Sequence, residues 1–253
     1  MVNSSESVNW HNRFAVQSTW TKPLRNFLYK QIGINQNSRI LEVGCGTGVI
    51  TSELHQFTFM PATGIDLQHD RLRIAARQDE FQLYACADAY SLPFTKNLFD
   101  FVLTHFFFLW VQDPISTLVE MLRVLKPGGW VIALAEPDYL ARIDSPAEFD
   151  KLGQMQTQAL IAQGANPASG RSLPQIFSNA GVEDIQYGIS GFQVSPVHIP
   201  DWYESEWNML REDLAHLLSE NELDRLQELD LKARKSGCRV LWIPTFYAYG
   251  KKS

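Results

Sequence analysis

The sequence predicts an α/β fold in which a parallel sheet is covered by helices on both faces. Two observations predict it. From residue 39 to about residue 136, short apolar runs alternate with segments of helical periodicity. Those apolar runs are continuous, which is typical of strands buried on both faces of a parallel sheet. With 253 residues, of which 45% are hydrophobic, the chain is long enough for one such domain and an added small unit.

Five strands and the helices between them follow from these runs. The predicted strands are RILEV (39–43), ATGID (62–66), FQLYAC (81–86), FDFVLTH (99–105) and WVIALAE (130–136). The predicted connecting helices include VITSELHQF, DRLRIAARQ and DPISTLVEMLRVL. The third of these has the best-defined ends, because Asp113 is a predicted N-cap, Pro114 takes the first helical position and KPGG ends the helix.

After residue 136 the alternation changes. SPAE (145–148) predicts a capping box that opens a helix to about residue 163. A short helix then ends at Gly181, and EDIQYGIS predicts a sixth strand. The following segment has a helical pattern, and SENE (219–222) predicts the capped start of its second helix.

The final strand, VLWIPTFYAYG (240–250), returns the chain to the sheet. We therefore predict a main domain formed by residues 39–196 and 238–253. Residues 1–38 are predicted to be an N-terminal helical cover. Residues 197–237 are predicted to be a helical insertion between the sixth and seventh strands.

Composition excludes several classes of protein. The formal net charge is −6 and no basic run exceeds KK, so neither nucleic acid nor an anionic membrane is expected as a partner. The N-terminus lacks the pattern of a signal peptide, and no run approaches twenty apolar residues. Cys45, Cys86 and Cys238 form neither a disulfide framework nor a CxxC pattern, and the histidines lack metal-ligand spacing. We expect a cytoplasmic monomer or homodimer without a metal.

A glycine-rich turn, LEVGCGTG (41–48), follows the first strand. Glycines at such a turn let a ligand approach bare backbone beside the N–H groups of a helix N-terminus. Dinucleotides and S-adenosylmethionine (SAM) both fit that description. The dinucleotide fingerprint G-x-G-x-x-G would place its third glycine at Val49, whereas here it is Gly48. The spacing therefore favours SAM.

Three acids accompany the turn. Asp66 ends the second strand, where a carboxylate can accept hydrogen bonds from both ribose hydroxyls, as it also does in NAD sites. Asp88 follows the third strand, where a carboxylate can accept from the adenine amine, and the dinucleotide fingerprint does not require this acid. Glu42 precedes the glycines, and two interpretations stay open for it: a structural carboxylate that orders the loop, or a direct ligand contact.

In this order, LEVGCGTG, GID, ADAYSLPF, FDFVLTH and EMLRVLKPGGWVIALAEPD resemble the successive motifs of class I SAM-dependent methyltransferases. The small-molecule branch that includes the ubiquinone and menaquinone biosynthesis enzymes is the most similar. The resemblance is dense over residues 39–137 and loose elsewhere. It implies a Rossmann-like class I methyltransferase fold with a seven-stranded, mostly parallel sheet and an antiparallel last strand beside the sixth. Independently of the resemblance, the aromatic residues of the helical segment 197–237 predict a lid that excludes water from a small-molecule site.

The resemblance also implies SAM as cofactor, S-adenosyl-L-homocysteine as product and a set of cofactor residues. The glycines would lie against the methionine portion, Asp66 would hold the ribose, and Asp88 would face the adenine edge. The implied set is Glu42, Gly44, Cys45, Gly46, Gly48, Asp66, Leu67, Asp88, Ala89, Thr104 and His105.

Methyl transfer from a sulfonium is an in-line displacement that chiefly requires positioning. A general base is needed only when the acceptor must lose a proton early. His105 is the first candidate base and Tyr139 a weaker one, and the alternative is that His105 only forms part of the pocket wall. We expect an apolar or aromatic small molecule, methylated at O or N. The candidate acceptor contacts are Phe14, Trp20, Phe108, Trp110, Tyr139, Trp202, Tyr203 and Trp207.

Three other functions stay open. The chain could be a SAM-binding protein without catalysis, with a regulatory role, although such a protein has no need of an aromatic cover. It could be an NAD(P)-dependent oxidoreductase, against which Val49 and Asp88 weigh. It could methylate protein or RNA, and the acidic composition weighs against RNA.

Overall fold

The computed structural model describes residues 4–191, 199 and 201–253. Its strands are β1 (Ile40–Val43), β2 (Thr63–Asp66), β3 (Leu83–Cys86), β4 (Phe99–Thr104), β5 (Leu125–Pro137), β6 (Ile143–Ser145), β7 (Glu183–Gly191), β8 (Val240–Trp242) and β9 (Pro244–Lys251). Its helices are α1 (Ser4–Gln31), α2 (Val49–Glu53), α3 (His69–Gln78), α4 (Pro114–Val124), α5 (Glu148–Ala162), α6 (Ser169–Asn179), α7 (Tyr203–Leu214) and α8 (Glu220–Lys235). In these residues no helix is long and apolar enough to cross a membrane.

Seven strands form the main sheet in the order β3-β2-β1-β4-β5-β9-β7. The first five strands pair in parallel, and β9 pairs antiparallel with both β5 and β7. This confirms the predicted seven-stranded, mostly parallel sheet. Its last strand, β9, is antiparallel and lies beside β7, which is the sixth strand of this sheet along the chain. In a parallel sheet the carboxyl ends of neighbouring strands meet at one edge, and there the ends of β1, β2 and β4 lie side by side.

The continuous apolar runs are explained by helices on both faces of the sheet. Leu41 and Val43 of β1 pack into a core that includes side chains of α4 and α6. Ile40, on the opposite face, packs into a second core that includes Leu28 and Tyr29 of α1. Because successive strand residues point to opposite faces, both sets must be apolar.

Two predicted helix starts are confirmed. Asp113 caps α4 by accepting from Ser116 N–H, with Pro114 in the first helical turn. Ser219 and Glu222 form the reciprocal capping box of α8. In both cases the cap depends on residues three positions apart, so the start of the helix could be predicted from the sequence alone.

Two other predictions were wrong. Ser145 does not cap a helix, because it belongs to β6, where it pairs with Val240 of β8; α5 begins at Glu148. The predicted strand 240–250 is divided at Ile243, so that β8 pairs with β6 while β9 enters the main sheet. Both differences follow from strand pairing between distant segments, which local patterns do not reveal.

Helices α5, α7 and α8 share a separate apolar core, which includes Phe149, Trp207 and Leu214. The sequence assigned α5 to the main domain and the other two helices to the insertion. Residues 197, 198 and 200 of that predicted insertion lie outside the described residues.

A chain of buried ion pairs, which we call the buried charge chain, joins this helical unit to the segment after β5. Asp144 pairs with Arg142 and, at 2.8 Å, with Arg239. Asp230 of α8 accepts from Arg239 Nε at 2.6 Å and from Arg234 Nε at 2.7 Å. All five side chains are at most 7% exposed. Ion pairs at this depth are poorly screened by water, so they fix α8 relative to β6 and β8.

Candidate functional site

A cavity of about 580 Å³, which we call the cleft, lies at the carboxyl ends of β1, β2 and β4, beneath α1. Ligands of open α/β sheets bind at this edge. Nine of the eleven predicted cofactor residues line it: Glu42, Gly44, Cys45, Gly46, Asp66, Leu67, Asp88, Ala89 and His105. The other two, Gly48 and Thr104, do not line it.

The glycines of the turn are required by both conformation and space. Gly44, Gly46 and Gly48 all have positive φ, at 76°, 54° and 78°. A Cβ on Gly44 would lie 2.4 Å from the Phe107 ring, and one on Gly46 would lie 2.8 Å from the ring of Phe14 in α1. A Cβ on Gly48 would meet the Cβ of Ala75 at 2.9 Å, so Gly48 allows α3 to approach the turn and has a packing role.

Asp66 fixes the turn from the neighbouring strand. Its Oδ2 accepts from Gly46 N–H at 2.8 Å, and its Oδ1 accepts from Gln68 N–H at 2.8 Å. A carboxylate oxygen has a second lone pair, so both atoms retain acceptor capacity toward the cleft. The sequence did not reveal that Asp66 also holds the backbone of the glycine turn.

Glu42 lines the cleft although only 1% of its surface is exposed. Its Oε2 accepts a short hydrogen bond from the Thr51 hydroxyl. Burial raises the pKa of Glu42 from 4.5 to about 7, although Thr51 and Arg25 act in the opposite direction. The hydrogen bond to the first turn of α2 supports the structural interpretation of this carboxylate.

This raised pKa gives a pH dependence of stability. The folded state holds a proton on Glu42 that the unfolded state releases near pH 4.5, so the free energy of unfolding falls as the pH rises from 4.5 to 7. We compare the free energy of unfolding of Glu42→Gln with that of the wild type. The value for the variant minus that for the wild type is expected to increase by about 3 kcal/mol between pH 4 and pH 8, because only the wild type loses stability as Glu42 ionises. Urea unfolding at both pH values measures it, with the exposed Glu228→Gln as control. An advantage that is equal at the two pH values would contradict the raised pKa.

His105 is held by a network from α1. Its Nε2 lies 2.8 Å from Thr21 Oγ1, and Arg25 Nη1 donates to the same oxygen at 2.5 Å. Arg25 is fully buried and donates through two nitrogens to Glu53, at 2.9 and 2.5 Å. Because Arg25 only donates, the single proton of the Thr21 hydroxyl is available for donation to His105 Nε2.

This network changes the predicted role of His105. Burial and the nearby Arg25 charge lower the pKa of His105 well below its usual value, so the ring is neutral near pH 7. In the tautomer in which Nε2 accepts from Thr21, the ring hydrogen lies on Nδ1. A neutral ring whose basic nitrogen is occupied is a hydrogen-bond donor. The geometry therefore favours the pocket-wall alternative over the general base. Burial also raises the pKa of Tyr139, which does not favour a phenolate base.

The predicted aromatic contacts separate into two groups. Phe14, Trp110 and Tyr139 line the cleft, and Trp20 lines a smaller cavity next to it. Trp202 contacts the Trp20 ring edge-on at 5.9 Å.

Phe108, Tyr203 and Trp207 line neither cavity. Phe108 is 2% exposed and belongs to the core between the sheet and helices α4 and α6. Tyr203 is 3% exposed and Trp207 is 2% exposed, and both belong to the core of α5, α7 and α8. The expectation that these three rings contact an acceptor is thus not supported, because they fill cores.

Sequence reasoning missed several polar residues of the cleft. Arg71 of α3 stacks on Trp10, with its guanidinium carbon 4.7 Å from the ring centroid. Gln17 lines both cavities. The signal for the α1 residues was their spacing: Trp10, Arg13, Phe14 and Gln17 fall at i, i+3, i+4 and i+7, which is one face of a helix. Among the described residues no cluster of His, Cys, Asp or Glu suits a metal ion.

Comparisons with known proteins agree with this geometry. Residues 41–133 match the family model described as a methyltransferase domain. An uncharacterised methyltransferase of Schizosaccharomyces pombe is 35% identical over 169 residues, which are 61% of this chain and 60% of that protein. A demethylmenaquinone methyltransferase of Staphylococcus aureus is 36% identical over 119 residues, 45% of this chain and 49% of that protein. The chain thus spans about half to three fifths of these relatives.

One similar solved structure is phosphoethanolamine N-methyltransferase 2 of Haemonchus contortus, in complex with phosphomonomethylethanolamine and S-adenosylhomocysteine. The TM-score is 0.57 at 19% identity, covering 90% of this chain and 52% of that one. At this identity the similarity establishes the fold.

Proposed function

We propose that the chain, whose residues 41–133 match the model of a methyltransferase domain, is a SAM-dependent enzyme that methylates O or N of a small molecule. One observation supports the proposal most strongly. A glycine turn with positive φ, held by Asp66, shares a single cleft with Asp88 and Ala89. That combination suits an adenosyl group with an amino-acid tail.

The residues present fit the cofactor. Gly44 and Gly46 line the cleft without side chains of their own, and the rings of Phe107 and Phe14 pack where their Cβ atoms would lie. Asp66 retains acceptor capacity for two ribose hydroxyls. The side chain of Leu67 is exposed at the cleft wall, where it provides an apolar surface for a purine ring. Asp88 and Ala89 would face the adenine edge, and Glu42 would lie near the amino-acid end. Bound SAM supplies an activated methyl group for in-line displacement.

The protein's own contribution is to position the reactants and exclude water. Helix α1 covers the cleft with Trp10, Arg13 and Phe14. The C-terminal half of α1 is held by the ion pair between Arg25 and Glu53 of α2. In the tautomer with its hydrogen on Nδ1, His105 can donate to an oxygen or nitrogen lone pair of the acceptor and orient it. Such positioning is the main requirement of methyl transfer, so an acceptor with a free lone pair needs no base here.

Calorimetric titration of the protein with SAM and with NADH tests this function. We expect saturable binding of SAM at micromolar concentration and no heat from NADH. Transfer of labelled methyl groups to a panel of phenols and amines then separates an enzyme from a SAM-binding protein without catalysis. Binding of NADH, or the absence of SAM binding, would overturn the proposal.

A further inference from the structure

The smaller cavity, about 30 Å³, lies between α1, α5, α7, β8 and the segment after β5. It shares Arg13, Gln17, Tyr139 and Leu160 with the cleft, so it is an extension of the cleft and not a separate site. Its volume accommodates one small polar group, since a water molecule already needs about 10–15 Å³. It can therefore hold the end of a ligand whose body lies in the cleft.

Four charged side chains line this extension, and three of them have partners. Arg13 pairs with Asp213 at 3.5 Å. Arg142 pairs with Asp144 and donates to Gln156. Glu206 of α7 has no ion pair within the described part of the chain. Its Oε2 is fully buried and accepts no hydrogen bond there.

A buried carboxylate oxygen without a partner is rare in folded proteins and costly. Five residues of the wall, Leu160, Met209, Leu210, Leu241 and Ile243, are apolar. The wall also contains polar side chains, among them Gln17, Tyr139 and Gln156, but none of them donates to Glu206 Oε2 in the described part of the chain. Burial and the nearby Asp230 charge raise the pKa of Glu206, while the charges of Arg234, Arg142 and Arg239 act in the opposite direction. A cation brought by a ligand would both stabilise the carboxylate and satisfy the unpartnered oxygen.

We propose that the methyl acceptor carries an amine whose ammonium group pairs with Glu206 while its body extends past Tyr139 into the cleft. This inference rests on the proposed function, since it assigns the acceptor class of that same site. A protonated amine has no lone pair for attack, so the ammonium at Glu206 is the group that is recognised. The methylated atom is a second O or N of the same molecule, located in the cleft.

The test uses the full chain saturated with S-adenosylhomocysteine and two probes of the same shape, phenethylamine and 2-phenylethanol. We expect calorimetry to show the amine binding at least tenfold tighter than the alcohol. Glu206→Gln is expected to remove this preference. Glu204→Gln, an exposed acid on the same helix, is expected to keep it.

Each outcome is decisive. Equal affinity for the two probes, or no binding of the amine to protein that has bound S-adenosylhomocysteine, overturns the inference. Failure to bind S-adenosylhomocysteine at all instead overturns the proposed function. If Glu206→Gln raises the melting temperature and leaves the amine preference unchanged, Glu206 is only a structural residue and the inference fails. Glu206→Met provides a second variant, without a hydrogen-bonding group.

Discussion

Asp66→Ala is expected to weaken SAM binding about 100-fold. The substitution leaves the Gly46 and Gln68 N–H groups without their acceptor and removes the proposed acceptor of the ribose hydroxyls. Hydrogen bonds to a charged group contribute about 1.5–3 kcal/mol, and about 2.8 kcal/mol corresponds to a 100-fold change. Calorimetric titration of both proteins with SAM measures the difference.

Two variants make this result specific. Asp88→Asn is expected to weaken SAM binding less, because the amide oxygen can still accept from an adenine amine. Asp70→Asn, an exposed acid in the first turn of α3, is expected to leave affinity unchanged. If Asp66→Ala bound SAM as tightly as the wild type, the ribose would have to be held elsewhere.

Asp230→Ala is expected to lower the free energy of unfolding by about 3–5 kcal/mol. Asp230 is 2% exposed and accepts from both Arg234 and Arg239, which are themselves buried. Removing one partner of a buried ion pair leaves an uncompensated charge, and here it leaves two guanidinium groups short of an acceptor. Urea denaturation with extrapolation to water gives the value.

Asp224→Ala is the matched control for this stability effect. Asp224 also pairs with an arginine, Arg211, at 2.7 Å, but 63% of its side chain is exposed. We expect a loss below about 1 kcal/mol, which is the range for exposed pairs. Equal losses in the two variants would mean that burial of Asp230 does not determine its contribution.

Much of the fold was predictable because its signals are local. The continuous apolar strands, the Asp113 cap and the glycine turn each depend on residues within a few positions of one another. The division of the last strand was not predictable, because β8 leaves the main sheet to pair with β6, about a hundred residues earlier.

The candidate site divides in the same way. The glycines and acids at the strand ends follow from motifs, and most of them line the cleft. Trp207 could not be assigned, because an aromatic residue on a helical stripe has the same spacing whether it faces a ligand or a core. Glu206 was missed since its lack of a partner depends on how α1, α5 and α7 meet.

The buried charge chain has a consequence for exchange of molecules between the cleft and solvent. Because α8 is held to β6 and β8 by charges that are at most 7% exposed, we expect it to stay in place when ligands exchange. We expect cofactor and product to pass the N-terminal half of α1 instead. That half is connected to α7 by Arg13–Asp213, a pair of 3.5 Å whose side chains are 16% and 11% exposed. Because both side chains of this pair are largely buried, added salt is expected to weaken it only slightly.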